Sequence, residues 1–236
     1  MTEEIAPRDS YVKSIDAHVI DVLEQGLVLD KTVFYARGGG QPGDTGILVG
    51  DWGDLPITDT FRVKGTPVHQ FDGPSPAVGD AVEATIDWNR RHLLMRTHTA
   101  VHALTAILWY EFGVKVTGSG MEPGVGRADF PLDSISVAFG ETVEAKLNEA
   151  LARDHETAIR YLHREEALGD PDLIRTQVSL LPDWLDPIRV VDIIGLDKQA
   201  DGGTHVRSTA EVGAVRVVKT ESKGKNNKRI RIELVQ

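Results

Sequence analysis

Over the first third of the chain, apolar and polar positions alternate in short runs. YVKSIDAHVIDV, GLVLD, FRVKG, TPVHQFDG and AVEATIDW are rich in Val and Ile and are separated by Gly, Pro and Asp. This period of two, broken by turn residues, predicts β-strands. Several short strands at such spacing predict a small β-barrel over roughly residues 10–88, with DGPSPAVGD as the loop before its last strand. The pattern changes at Asp87-Trp88-Asn89. From Arg90 to Phe112 there is neither Gly nor Pro, and Leu94, Val101, Leu104 and Leu108 recur at helical spacing. A long helix stopped by Gly113 is expected there.

Further on, ETVEAKLNEALARDH predicts a second helix over about Glu141–His155. TAIRYLHR and IRVVDII read as strands, and the segment from Val212 to the C-terminus reads as a β-hairpin. The mixed order argues for an α+β chain: an N-terminal β-barrel domain over residues 1–88 and a helix-on-sheet domain over residues 89–236. No internal repeat or low-complexity tract is visible.

With 236 residues, 41% hydrophobic and 26% charged, the composition is that of a globular protein, sufficient for one large domain or two small ones. A net charge of −10 gives the average surface no attraction for nucleic acid. The charge is uneven, however. Between Arg216 and Arg231 seven basic residues face one acid, so this segment carries +6 and the remainder −16. Such a ribbon suits a local contact with phosphates, or is a solvated hairpin with a Lys-rich tip. The absence of cysteine excludes disulfides and thiolate ligands and fits the cytoplasm. The N-terminus lacks the basic and apolar regions of a signal peptide, and no apolar run reaches the roughly 20 residues of a membrane span. A cytoplasmic protein with no membrane partner is the expectation.

Two histidines, His98 and His102, lie four residues apart inside the predicted long helix. At that spacing their Cβ atoms are about 5–6 Å apart on one face, and both imidazoles can reach one ion. Two half-buried histidines bonded to backbone or carboxylates are the alternative. Far downstream, in DKQADGGTHVRST, Asp201 and His205 flank Gly202 and Gly203, which permit a sharp turn. Asp and His are both acceptable zinc ligands, and such a turn could aim them at one point. The alternative is an Asp-Gly-Gly turn with an incidental histidine.

THTAVHAL, with DGGTHVRSTAEVG far downstream and FYARGGGQPGDTG near the start, resembles the editing domain of alanyl-tRNA synthetase. It resembles still more the free-standing alanyl-tRNA editing proteins called AlaX, and the length is similar to that of their medium-length type. The likeness runs in order from about residue 26 to the C-terminus. In that family HxxxH and CxxxH hold zinc, which implies His98, His102 and His205 as ligands. Asp201 stands where the family commonly has cysteine. It would ligate directly or through water, or the metal would rest on three histidines plus water. A carboxylate is harder than a thiolate and widens the choice of metal.

The resemblance implies a zinc-dependent hydrolase that deacylates tRNA(Ala) mischarged with serine or glycine. A pocket built for alanine discriminates poorly against smaller or isosteric amino acids, so a second hydrolytic site supplies the remainder. It implies Thr117, with Ser119 close by, as the side chain that reads the amino acid, and Gln41 in the Gly-Gly-Gln loop as a contact near the site or the tRNA end. That loop, Gly38–Asp44, is not a P-loop, since no Gly-Lys-Ser/Thr follows. Arg127 and Asp129 resemble a cleft strand or form a structural ion pair. Asp192 and Asp197 are candidate general bases, or a surface strand end and a turn residue. Lys223, Lys225, Lys228, Arg229 and Arg231 would meet the RNA backbone. The competing class is a non-catalytic, metal-containing tRNA-binding module, whose structural metal would be closed by four protein ligands.

Overall fold

The computed structural model describes residues 2–170, 172–173 and 185–235. The chain divides into two compact units, Met1–Leu94 and Met95–Gln236. The first contains β1 (Glu3–Glu4), β2 (Ser14–Leu23), β3 (Gly26–Leu29), β4 (Lys31–Thr32), β5 (Gly46–Gly50), β6 (Gly53–Val63), β7 (Thr66–Phe71) and β8 (Ala81–Ile86). Six of these close a barrel in the order β2-β3-β7-β6-β5-β8, and β1 pairs in parallel with β4. Alternate residues point inward, so Leu48, Leu55, Ile57, Val82 and Ala84 fill the barrel with Leu27, Leu29 and Phe34.

The loop Gly38–Asp44 is shaped by its glycines: Gly39 and Gly40 have φ of 58° and 83°. It ends at Asp44, which is buried and bound by Arg91; Arg91 also donates to the carbonyls of Ser10 and Val33. Asp44 in turn accepts from the Tyr35 amide at 2.6 Å. The loop is thus locked into its own unit by a buried ion pair.

Helix α1 spans Trp88–Phe112, and the boundary between the units falls within it. Asp87 Oδ1 accepts from the Arg90 amide at its start, and Gly113 (φ 66°) closes its end by donating to Trp109. Leu94, Val101, Leu104 and Leu108 are buried as their spacing predicted. Ala100, Ala103 and Ala106 are buried too, so the middle of the helix is covered on several faces.

The second unit continues with β9 (Gly118–Glu122), β10 (Val125–Phe130), α2 (Val137–Leu151), β11 (Thr157–Leu162), α3 (Arg164–Gly169), β12 (Ile188–Ile193), β13 (Asp197–Ala200), a 3₁₀ turn at Thr209–Glu211, β14 (Val215–Ser222) and β15 (Lys228–Leu234). One sheet has the order β14-β15-β10-β9, the other β11-β12-β13, all antiparallel. Helices lie on the first sheet: the Cα of Gly126 in β10 has Val101 of α1 so close that a Cβ would meet it at 2.6 Å, and Gly140 of α2 packs on Thr220 and Val217 of β14.

The second helix starts four residues before the expected Glu141 and ends at Leu151 rather than His155. Ser136 caps it by accepting from the Phe139 amide. Strand β5 and the first half of β6 were not anticipated. Gly46 and Gly50 bracket β5, and Pro56 interrupts the β6 pattern. No helix among the described residues is long and apolar enough to cross a membrane.

Candidate metal centre

The antiparallel pair β12–β13 aims the chain at α1. Its ladder runs from Ile193↔Asp197 to Val190↔Ala200 and is extended by Asp201, whose amide donates to Arg189 and whose carbonyl accepts from Arg189 Nη1 at 2.7 Å. The chain then turns, and the Gly203 amide donates to Asp201 Oδ2 at 2.5 Å. The turn carries His205 to the side chains of His98 and His102.

His98, His102, Asp201 and His205 each offer one ligand atom, and these atoms lie within 4.8 Å of one another. Asp201 Oδ1 is 3.6 Å from His98 Nε2 and 3.9 Å from His102 Nε2; Oδ2 is 3.3 Å from His205 Nε2. Ring centroids are 4.2–5.0 Å apart. All three imidazoles are at most 5% exposed.

Each imidazole also makes a bond to the surrounding protein. His102 Nδ1 is 2.9 Å from Asp197 Oδ2, and His205 Nδ1 is 3.1 Å from Thr99 Oγ1. His98 bonds the Thr204 backbone. With Nδ1 engaged on His102 and His205, their Nε2 atoms face Asp201. Thr99 Oγ1 also accepts from the Val206 amide, and Gln199 Nε2 bridges Asp197 Oδ2 (2.8 Å) and Thr105 Oγ1 (3.1 Å). Asp197 is therefore neither a surface nor a turn residue. It is 3% exposed and holds a site histidine. Asp192 is instead paired with Arg160.

Burial pushes His98 down to about 4 and, with its neighbours His98 and His102, holds His205 well below the ordinary imidazole value. Burial acts to raise Asp201, but the surrounding imidazoles, His98 foremost, keep its carboxyl well below the usual carboxylate range. Burial thus favours the neutral form of His98 and His205 beside an ionised Asp201.

This donor set fits a divalent cation. Tetrahedral bonds of about 2.1 Å place ligand atoms about 3.4 Å apart; the contacts of Asp201 with the three rings, 3.3–3.9 Å, are already near that spacing, and the rest of the group, within 4.8 Å, would draw in by roughly 1 Å at its widest. The four side chains are N₃O, without sulfur.

Thr117 is exposed at the entry to β9, its amide donating to the Asp129 carbonyl at 2.8 Å; Ser119 is exposed in β9. Gln41, in the first unit, is 2% exposed and closes a turn with Gly38 through reciprocal backbone bonds. Asp129 is paired bidentately with Arg229, at 2.6 and 2.8 Å, and more loosely with Arg127 at 3.5 Å. Of the basic ribbon, Lys223 and Lys225 are exposed, Arg231 binds Glu221, and Lys228 is buried with Nζ on the Gly224 carbonyl.

Residues that pattern reading passed over are Thr99, Gln199 and Arg189. Thr99 sits between the two histidines, one position from His98, but a threonine inside a helix carries no distinguishing signal. Gln199 lies two residues from Asp197 on the same side of β13, which was the available clue.

Residues 9–90 match the family model described as tRNA synthetases class II (A), and residues 188–231 match the threonyl and alanyl tRNA synthetase second additional domain. The chain is 38% identical over 236 residues to the alanyl-tRNA editing protein AlaX-M of Saccharolobus solfataricus, covering 98% of both chains. It is 34% identical over 242 residues to the AlaX-M protein of Methanosarcina barkeri, covering 100% of both. It also aligns with the alanine–tRNA ligase of Pyrobaculum aerophilum, 34% identical over 228 residues, using 93% of this chain and 25% of the ligase. The chain belongs to the AlaX-M family of alanyl-tRNA editing proteins.

Proposed function

We propose that the protein is a trans-editing hydrolase that deacylates tRNA(Ala) carrying serine, and glycine as well, at a zinc site formed by His98, His102, Asp201 and His205. The observation that carries this reading is the convergence of four ligand atoms within 4.8 Å in a chain of this family. The reaction splits the ester between the amino acid carboxyl and the terminal ribose with water, releasing free amino acid and uncharged tRNA.

When bound, a divalent cation supplies a concentrated positive charge for polarising an ester carbonyl or water. The chain's own residues do the rest. Burial favours unprotonated His98 and His205, with their lone pairs available. Asp197, Thr99 and the Thr204 backbone fix the rings, so little rotational freedom remains to be lost on binding. Asp201 adds one negative charge, held in place by the Gly203 amide. Thr117 offers an exposed hydroxyl for the amino-acid side chain, and Gln41, in the glycine-rich loop, is assigned a contact with the tRNA acceptor end. Lys223, Lys225, Lys228, Arg229 and Arg231 form the basic segment that meets RNA, with Lys228 and Arg229 shaping the hairpin from within.

The test is deacylation of Ser-, Gly- and Ala-tRNA(Ala) by the purified protein with and without chelator. Hydrolysis of the mischarged species, abolished by chelator and restored by zinc, is expected. No turnover of either mischarged species would overturn the reading.

A further inference from the structure

The sheet β14-β15-β10-β9 buries one face under the helices, with Ala128, Phe130, Ile230 and Ile232 at most 1% exposed. The other face is laid out in rows set by the strand register. One row is Asp129↔Arg229↔Glu221, alternating in sign as cross-strand stability favours. The adjacent row is Arg127↔Arg231↔Lys219, three cations side by side on neighbouring strands. Like charges directly opposite one another destabilise a sheet. A sheet arranged for stability alone would not place them so.

We propose that the Arg127–Arg231–Lys219 row is the surface on which the phosphate backbone of a base-paired RNA stem seats. This rests on the editing reading only for the identity of the RNA, the substrate tRNA. The row is open to solvent in part: Lys219 is exposed and Arg127 and Arg231 are half-buried, with side-chain accessibilities of 61%, 38% and 36%. Strands about 4.8 Å apart spread the three charges over about 10 Å, a pitch that follows a backbone of phosphates rather than a single anion.

The carboxylates of the alternating row hold these side chains in place. Glu221 takes Lys219 at 2.5 Å and Arg231 Nε at 3.1 Å, and Asp129 lies 3.5 Å from Arg127. Glu221 is held ionised, at about 2, by Lys219 and then Arg231. Arg231 touches Glu221 through Nε, so its terminal guanidinium nitrogens are not part of that contact. In the same row, β9 has Gly120, over which the Arg127 guanidinium lies; a Cβ there would meet Nη2 at 3.1 Å. Across these two rows and Gly120, four cations face two acids on a chain of net charge −10. The locally positive face orients an RNA that the rest of the surface repels.

The test uses uncharged tRNA(Ala) and the full chain. Arg127→Gln/Lys219→Gln/Arg231→Gln is expected to weaken binding at least tenfold in low salt. It should lower the slope of log affinity against log salt by about two to three, close to one per lost phosphate contact. Lys219→Gln alone, at the most exposed position, gives a shallower slope by about one in a protein whose fold is undisturbed. Hydrolysis of a seryl ester of adenosine, which has no phosphate, proceeds equally in wild type and Lys219→Gln. An unchanged affinity and slope in the triple variant would overturn the proposal. So would a loss in Lys64→Gln, an exposed cation of the barrel, equal to that in Arg127→Gln. A wild type that binds tRNA through the row but hydrolyses neither ester sinks the editing reading and leaves the surface standing.

Discussion

Asp201 is the one carboxylate in the group of three histidines that could hold a metal ion. In thiolate-free form the centre is three imidazoles and one carboxylate, and a carboxylate gives away less charge than sulfur. Replacing it separates direct ligation from proximity. Asp201→Ala should weaken zinc affinity at least tenfold, and Asp201→Cys should match or exceed the native affinity, measured by competition with a chromophoric chelator. Equal affinity in all three proteins would remove Asp201 from the site. Asp197 acts one step back, through His102. Asp197→Asn keeps the size and loses the charge, and is expected to lower zinc affinity by about 10- to 100-fold, with partial rescue in Asp197→Glu. The spacing of His98 and His102 and the glycine turn before His205 suggested, with alternatives open, the four side chains that the structure brings together. Asp197 was noticed as a carboxylate but not as a partner of His102, because the pairing depends on where β13 places it against a helix 95 residues earlier.

At the scale of elements, α1 was legible because 23 residues from Arg90 to Phe112 contain no breaker. Its burial on several faces was not, since Ala100, Ala103 and Ala106 read as neutral filler in a periodicity count. The barrel was legible from period two, while β5 was hidden by its bracketing glycines. The glycine-rich loop owes its place to a pair that no local pattern announces: Arg91 with Asp44, 47 positions apart and both essentially inaccessible. Arg91→Met leaves the Asp44 carboxylate buried without its counter-charge and should destabilise the first unit by about 3–5 kcal/mol in denaturant unfolding. A loss under 1 kcal/mol would mean that the Tyr35 amide alone satisfies Asp44. Ser136→Ala, removing the cap of α2, should cost about 1 kcal/mol.

For the molecule as a whole, buried neutral histidines set the acid limit. His69 in the barrel is wholly buried, bonded to Thr32 Oγ1 and the Leu27 carbonyl, and burial lowers it from 6.5 to about 4. Above pH 6.5 it is neutral folded or unfolded and contributes no pH dependence. Between 6.5 and about 4 the unfolded chain takes up a proton that the fold refuses, so stability falls by about 1.4 kcal/mol per pH unit, on the order of 3 kcal/mol in all. His69→Gln removes this share: its stability relative to wild type should improve steadily from pH 6.5 to 4.5 in urea titrations. A constant difference would show that His69 titrates normally.

The central claim is that His98, His102, Asp201 and His205 together hold one divalent cation. Its most direct test is the metal content of the purified protein after dialysis against dilute zinc, beside His98→Ala and His102→Ala. One zinc per wild-type chain is predicted, with both variants folded by circular dichroism and retaining less than a tenth of that. Full zinc content in either variant, or none in the wild type, would contradict the account.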